Sequence, residues 1–180
     1  MWDIGAAKFG NNPVNVVRIN LIFGRCSSFK VVSSIKIVSA CLIGCKCRYD
    51  NKSALHPHVE NLVKNRQAVP VCPEQLGGLP TPRYPAEIVG GDGFDVLDGR
   101  AKVIDSHGND VTEQFIDGAY HTLNVAQTIG ATTAILKQNS PSCASNFIYD
   151  GSFTGNKKSG AGVTVALLIR NGLLVSDEGK

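Results

Sequence analysis

The sequence predicts an α/β domain, a single three-layer-like unit with a mainly parallel sheet. Three observations predict it. Short β-branched apolar runs alternate with segments whose apolar residues recur at helical spacing, the pattern of strand–helix–strand units. The segments between them are rich in glycine and proline, the residues that punctuate elements. The chain has 180 residues, 43% apolar and 18% charged, which gives enough apolar surface for one compact core and too little charge for a largely disordered chain.

Residues 1–34 stand apart. They hold Met1-Trp2-Asp3, Asn11-Asn12-Pro13 and Cys26-Ser27-Ser28 without clear periodicity, and set Lys8, Arg18, Arg25 and Lys30 against Asp3. The segment lacks the Arg/Ser density of a transit peptide and is expected to be a poorly ordered N-terminal extension. The domain is expected to span 35–180. Ile35-Lys36-Ile37-Val38-Ser39-Ala40 reads as the first strand, ending at Cys41, followed by a turn over 41–51 with Gly44. Val59, Leu62 and Val63 give 58–66 helical spacing. Ala68-Val69-Pro70-Val71 is a second strand that delivers Cys72. The Gly- and Pro-rich loop 73–85 is long for a compact domain and is expected to face substrate.

Phe94-Asp95-Val96-Leu97 and Ala101-Lys102-Val103-Ile104 flank Asp98-Gly99, a hairpin signal. Asp110-Val111-Thr112-Glu113 opens a helix with acids in its first turn. Phe115, Ile116, Ala119, Leu123, Ala126 and Ile129 form its apolar face, and Gly130 stops it. Thr132-Thr133-Ala134-Ile135-Leu136 is the next strand, leading into a loop, 137–151, that holds Cys143. A buried helix over 162–169 and a last strand at Leu173-Leu174-Val175 complete the order.

Composition excludes several classes. A net charge of +3 without a basic stripe interleaved with aromatics gives no nucleic-acid surface. No apolar run approaches the ~20 residues of a membrane helix. Gly90-Gly91-Asp92-Gly93 is not a dinucleotide fingerprint, since no helix is expected to follow it. The six cysteines, Cys26, Cys41, Cys45, Cys47, Cys72 and Cys143, come without a persuasive secretory signal. They point to a reducing compartment, the cytoplasm, where thiols bind metal or react. Oligomeric state is left open.

Cys41, Cys72 and Cys143 lie in separate glycine- and proline-flanked segments, each expected to follow a strand. In open α/β sheets ligands bind outside the carboxyl ends of the strands, so the three thiols fall on the edge where a site belongs. Cys72 and Cys143 are alone in their segments, unlike the paired motifs of a zinc ribbon. Cys41-x3-Cys45-x-Cys47 matches neither zinc nor ferredoxin spacing. Three thiolates on a four-iron cluster leave one iron free as a Lewis acid for a soft atom such as sulfur; the residues alone do not choose between zinc and a cluster. Glu74, two residues after Cys72, is placed to trade protons with substrate or activate water, and Ser140, three before Cys143, to hydrogen-bond a developing charge. Their bland alternatives are a surface carboxylate and a turn serine. Lys137 and Arg83 are candidates to orient an anionic or carbonyl ligand, against ordinary surface charge, and Asp150-Gly151 reads as a turn.

Several motifs stand in a familiar order. They are Val38-Ser39-Ala40-Cys41-Leu42-Ile43-Gly44, Cys47-Arg48-Tyr49-Asp50, Pro70-Val71-Cys72-Pro73-Glu74-Gln75-Leu76-Gly77-Gly78-Leu79, Pro82-Arg83-Tyr84-Pro85-Ala86-Glu87, Ser140-Pro141-Ser142-Cys143, Tyr149-Asp150-Gly151 and Gly160-Ala161-Gly162-Val163-Thr164. From about Ile35 onward the chain resembles a mostly bacterial domain-of-unknown-function family that includes the thiouracil desulfurases. The resemblance implies an oxygen-sensitive [4Fe-4S] cluster held by Cys41, Cys72 and Cys143, with a free iron for the sulfur of a thiolated uracil. Water would replace that sulfur without net redox change, and hydrogen sulfide would leave. Ser140 matches the family's assisting serine, and Glu74 is the candidate for its glutamate. The implied partner is a small thiolated base, with no nucleic acid and no membrane. Residues 1–34 have no counterpart, Cys45 and Cys47 are extra thiols beside a ligand, and Ala144 replaces a common glycine.

Three functions therefore compete. The first is a carbon–sulfur lyase, a desulfidase with three cluster cysteines and a pocket. The second is a structural or sensory zinc or iron–sulfur module whose fourth ligand is Cys45 or Cys47. The third is a thiol redox protein using Cys45 and Cys47, an uncommon C-x-C redox spacing.

Overall fold

The computed structural model describes residues 35–179. The expected extension, 1–34, and Cys26 with it, lies outside the described residues. Four strands, β1 (Lys36–Ser39), β2 (Ala68–Val71), β5 (Thr133–Leu136) and β8 (Leu174–Asp177), form one sheet in the order β2-β1-β5-β8. All its pairings are parallel. Two antiparallel pairs flank it in the chain, β3 (Ala86–Val89) with β4 (Lys102–Asp105) and β6 (Phe147–Tyr149) with β7 (Lys157–Ser159). Pro70 lies inside β2, where its missing N–H is tolerated because β2 is an edge strand.

Side chains alternate across the sheet, and the core divides accordingly. Val38 and Ile135 pack with Leu42 and with Val59, Leu62 and Val63 of α1 (Pro57–Lys64). Ile37, Ala134 and Leu136 pack on the other side with Phe115, Ala119, Leu123 and Ala126 of α4 (Thr112–Thr128) and with α5 (Val163–Arg170). The result is the expected three-layer arrangement. A fully buried Phe115 or Leu168 contributes roughly 1.5–3 kcal/mol of hydrophobic stabilisation.

The short helix α2 (Pro73–Leu76) crosses α4 at backbone contact. A Cβ on Gly77 would lie 1.9 Å from the Gln114 carbonyl oxygen, and one on Gly118 would lie 2.0 Å from the Pro73 carbonyl oxygen. Glycine at both positions lets α2 sit close, and α2 carries Glu74.

One expected element is corrected. Phe94-Asp95-Val96-Leu97 is not a strand of a tight hairpin but lies in a helix, α3 (Gly93–Leu97). Asp92 starts it with a reciprocal capping box: its carboxylate accepts from the Phe94 and Asp95 N–H groups, and the Asp95 side chain accepts from the Asp92 N–H. A helix therefore does follow Gly90-Gly91-Asp92-Gly93. It has five residues, follows an antiparallel strand, and does not create the βαβ dinucleotide unit. Asp98-Gly99 ends this helix, and β4 pairs instead with β3, a strand the sequence reading missed.

Candidate active site

β1 lies between β2 and β5, so the carboxyl ends of these three strands are neighbours. Cys41 lies in the 3-10 turn Ala40–Ile43 that follows β1. Cys72 directly follows β2 and is the N-cap of α2. Cys143 lies in the loop after β5. All three line one cavity of about 470 Å3, together with Glu74 and Ser140. Cys47 lines it too, whereas Cys45 is exposed and does not. The five described cysteines are free thiols.

The cavity wall is hostile to unpartnered thiolates. Burial pushes the Cys143 thiol up to about 12, opposed by a hydrogen bond from Ser39. Cys47 is pushed up to about 11, first by the adjacent Cys41 thiol, against a contrary hydrogen bond from Cys72. Cys72 is raised by Cys47 and by burial, and its thiol is 3.7 Å from the Cys47 carbonyl oxygen. A metal that takes these sulfurs must displace their protons. Among the described residues no three His, Cys, Asp or Glu side chains converge as ligands of one ion, although the Cys47 thiol stands against both the Cys41 and the Cys72 thiols.

Beside them is a carboxylate–hydroxyl pair. The Ser140 hydroxyl donates to Glu74 Oε1 at 3.2 Å. Ser140 Oγ also accepts from the Ser142 and Cys143 N–H groups at 3.1 and 3.2 Å, which shapes the loop that presents Cys143. Arg83 holds the other carboxylate oxygen, Glu74 Oε2, with Nε at 2.8 Å and Nη2 at 2.6 Å. Its two Nη groups also donate to the Cys47 carbonyl, each at 3.1 Å. Arg83 therefore joins α2 to the segment after β1.

The remaining candidates divide. Lys137 lines the cavity, but its ammonium is engaged by Glu178 at 2.6 Å. Arg48 also lines it and pairs with Asp50 at 3.2 Å. His107 stacks on Tyr84 with ring centroids 3.6 Å apart. The sequence reading missed Glu87, which is 8% exposed on β3 and lines the same cavity. The signal available was an acid inside an apolar run, Ala86-Glu87-Ile88-Val89.

A parallel α/β domain with a thiol-lined cavity at its strand ends, next to a fixed carboxylate and hydroxyl, defines the class as a thiol-site enzyme. The match to a family model then gives the particular kind. The chain belongs to the 2-thiouracil desulfurase family, whose model matches residues 37–180. It is similar to the uncharacterised protein YbbK of Bacillus subtilis (strain 168), 51% identical over 142 residues that cover 79% of this chain and 94% of YbbK. It is also similar to the solved structure of the [4Fe-4S]-dependent thiouracil desulfidase TudS, with a TM-score of 0.72 and 40% identity over 81% of this chain and 91% of TudS. These matches bear out the family resemblance and the α/β fold.

Proposed function

We propose that this protein hydrolytically removes sulfur from a thiolated nucleobase such as 2-thiouracil, giving uracil and hydrogen sulfide. A [4Fe-4S] cluster held by Cys41, Cys72 and Cys143 is its cofactor. The observation that carries this reading is the shared cavity, in which the three thiols face the same space as the Glu74–Ser140 pair. A set of three thiols at one cavity fits an iron–sulfur cluster with one iron left free, and [4Fe-4S] is the cofactor on which the similar TudS depends. When bound there, the cluster supplies a Lewis-acidic iron suited to a soft thiocarbonyl sulfur.

The chain's own residues do the rest. Arg83 fixes Glu74 through Oε2, leaving Oε1, hydrogen-bonded to Ser140, to accept a proton from the attacking water. As Glu74 takes that proton, the Ser140 hydroxyl is released to donate to the charge that develops on the substrate. One water enters, its oxygen stays on the ring carbon, and both its hydrogens leave with the sulfur, so no electrons are exchanged. Tyr49, Tyr149 and Phe153 also line the cavity and offer flat surfaces to a pyrimidine ring. Among the described residues no helix is long and apolar enough to cross a membrane. The reducing cytoplasm suits the free thiols, and a small base suits a cavity of this size.

The test is a set of variants purified anaerobically and reconstituted with iron and sulfide. Cys41→Ser, Cys72→Ser and Cys143→Ser each lose the cluster absorbance and the activity. Glu74→Gln keeps the absorbance and slows sulfide release at least about 100-fold, as expected for loss of a general base. Full activity in any of the three cysteine variants removes that residue from the ligand set, and a full rate in Glu74→Gln removes the proposed base.

A further inference from the structure

Glu87 is a buried carboxylate with no role in the chemistry above. Its Oε2 accepts from the Gly151 N–H at 2.9 Å and from the Phe153 N–H at 3.1 Å. Gly151 is suited to this clamp. Its φ is +94°, and a Cβ there would stand 2.8 Å from the Ile88 carbonyl oxygen. The Tyr149-Asp150-Gly151 motif, expected to be a plain turn, thus has a definite task in fixing this side chain.

The other oxygen is different. Oε1 accepts no hydrogen bond among the described residues, and it is not among the polar atoms sealed from solvent without a partner. The space that Glu87 lines is the thiol cavity. Among the described residues the cations on that wall are taken by other carboxylates, Arg48 by Asp50, Arg83 by Glu74 and Lys137 by Glu178. An oriented acceptor without a protein partner is therefore left at the cavity.

We propose that Glu87 Oε1 is a specificity-determining acceptor for a ring N–H adjacent to the thiocarbonyl of the substrate. The inference rests on the desulfuration reading. In 2-thiouracil the C2 thiocarbonyl stands between N1–H and N3–H, so a carboxylate acceptor selects a cyclic thioamide over its N-alkylated form. It also fixes the ring so that the sulfur is presented in one direction.

The experiment compares the cluster-loaded wild type with Glu87→Gln, using 2-thiouracil, 1-methyl-2-thiouracil and 3-methyl-2-thiouracil. The two backbone N–H groups require an oxygen, so they hold the carbonyl of the substituted side chain where Oε2 was and turn its amide NH2 toward the cavity. The acceptor becomes a donor while the clamp is kept. The wild type should discriminate against one of the methylated bases by about 10- to 100-fold in kcat/KM, the range for a hydrogen bond to a charged group. In Glu87→Gln that ratio should fall to within about threefold of unity through loss on 2-thiouracil, with the iron content and cluster spectrum unchanged.

Glu87→Asp, which withdraws the acceptor by one methylene, should lower the ratio partway and serves if Glu87→Gln is insoluble. A steric or purely structural role for Glu87 leaves the ratio intact in the variants. Equal turnover of all three bases by the wild type, or a ratio that persists in the variants, overturns the inference alone. A loaded wild type that releases sulfide from none of them overturns the desulfuration reading and this inference with it.

Discussion

Replacing Arg83 with Met tests the polar frame behind the site. The side chains of Arg83 and Glu74 are only 7% and 16% exposed. Met keeps most of the volume but removes every donor, leaving the Glu74 carboxylate and the Cys47 carbonyl without their partner. Removing one member of a buried ion pair costs roughly 3–5 kcal/mol. Glu74 opens on a cavity that water can enter, so the lower end, about 3 kcal/mol, is expected here. For a domain of this size that corresponds to a fall in Tm of roughly 6–12 °C. The assay is urea unfolding of the reduced, metal-free protein, where unfolding is not coupled to cluster loss. Glu74→Gln should be less costly in the Arg83→Met background than in the wild type, by about 1–2 kcal/mol, because it removes a charge already stranded. A wild-type midpoint for Arg83→Met, or equal costs of Glu74→Gln in both backgrounds, would refute the reasoning.

Further outcomes follow from the same geometry. Gly118→Ala drives a Cβ against the Pro73 carbonyl and should cost about 3 kcal/mol, the upper part of the overpacking range, with a matching drop in the urea midpoint. Cys47→Ser should keep both cluster and sulfide release, since Cys47 lies outside the proposed ligand set; loss of iron in this variant, measured by metal analysis, would make it a ligand. Burial opposes ionisation of Glu178, but its bonds from the Lys137 ammonium and the Gln138 N–H prevail and hold its carboxyl below the ordinary value of 4.5. Its folded value is depressed, so the stabilisation is fully present above about 4.5 and is lost as pH falls through the lower folded value. The stability gap between wild type and Glu178→Gln should therefore be constant near neutrality and close in acid, as read by unfolding at a series of pH values.

The parallel sheet was legible because β1, β2 and β5 are short apolar runs that end at turn residues, and α4 because Phe115, Ile116, Ala119, Leu123 and Ala126 recur on one face. The three-cysteine edge followed from those strands. Lys102–Asp105 was legible as a strand, but the segment from Ala86 to Leu97 was misread, in part because two local signals conflict at its end. Phe94-Asp95-Val96-Leu97 has the alternation of a strand, whereas Asp92 and Asp95, three apart, form the capping box that makes it a helix. Glu87 hid β3, since a charged residue inside an apolar run reads as exposure unless its partners are known. Those partners, the N–H groups of Gly151 and Phe153, are more than sixty residues away. Arg83 could be named from its loop, but its bonds to Glu74 and to the Cys47 carbonyl are long-range facts that no local spacing encodes. The inequality of Cys45 and Cys47 likewise appears only when the turn after β1 is folded against β2.

The most direct test of the central claim is sulfide release from 2-thiouracil by anaerobically reconstituted protein, with no electron donor added and with iron counted on the same sample. The account predicts about four irons per chain, the content of one cubane cluster, and one uracil formed for each sulfide released. Zinc in place of iron, or a loaded cluster that releases sulfide only when a reductant is supplied, would contradict it.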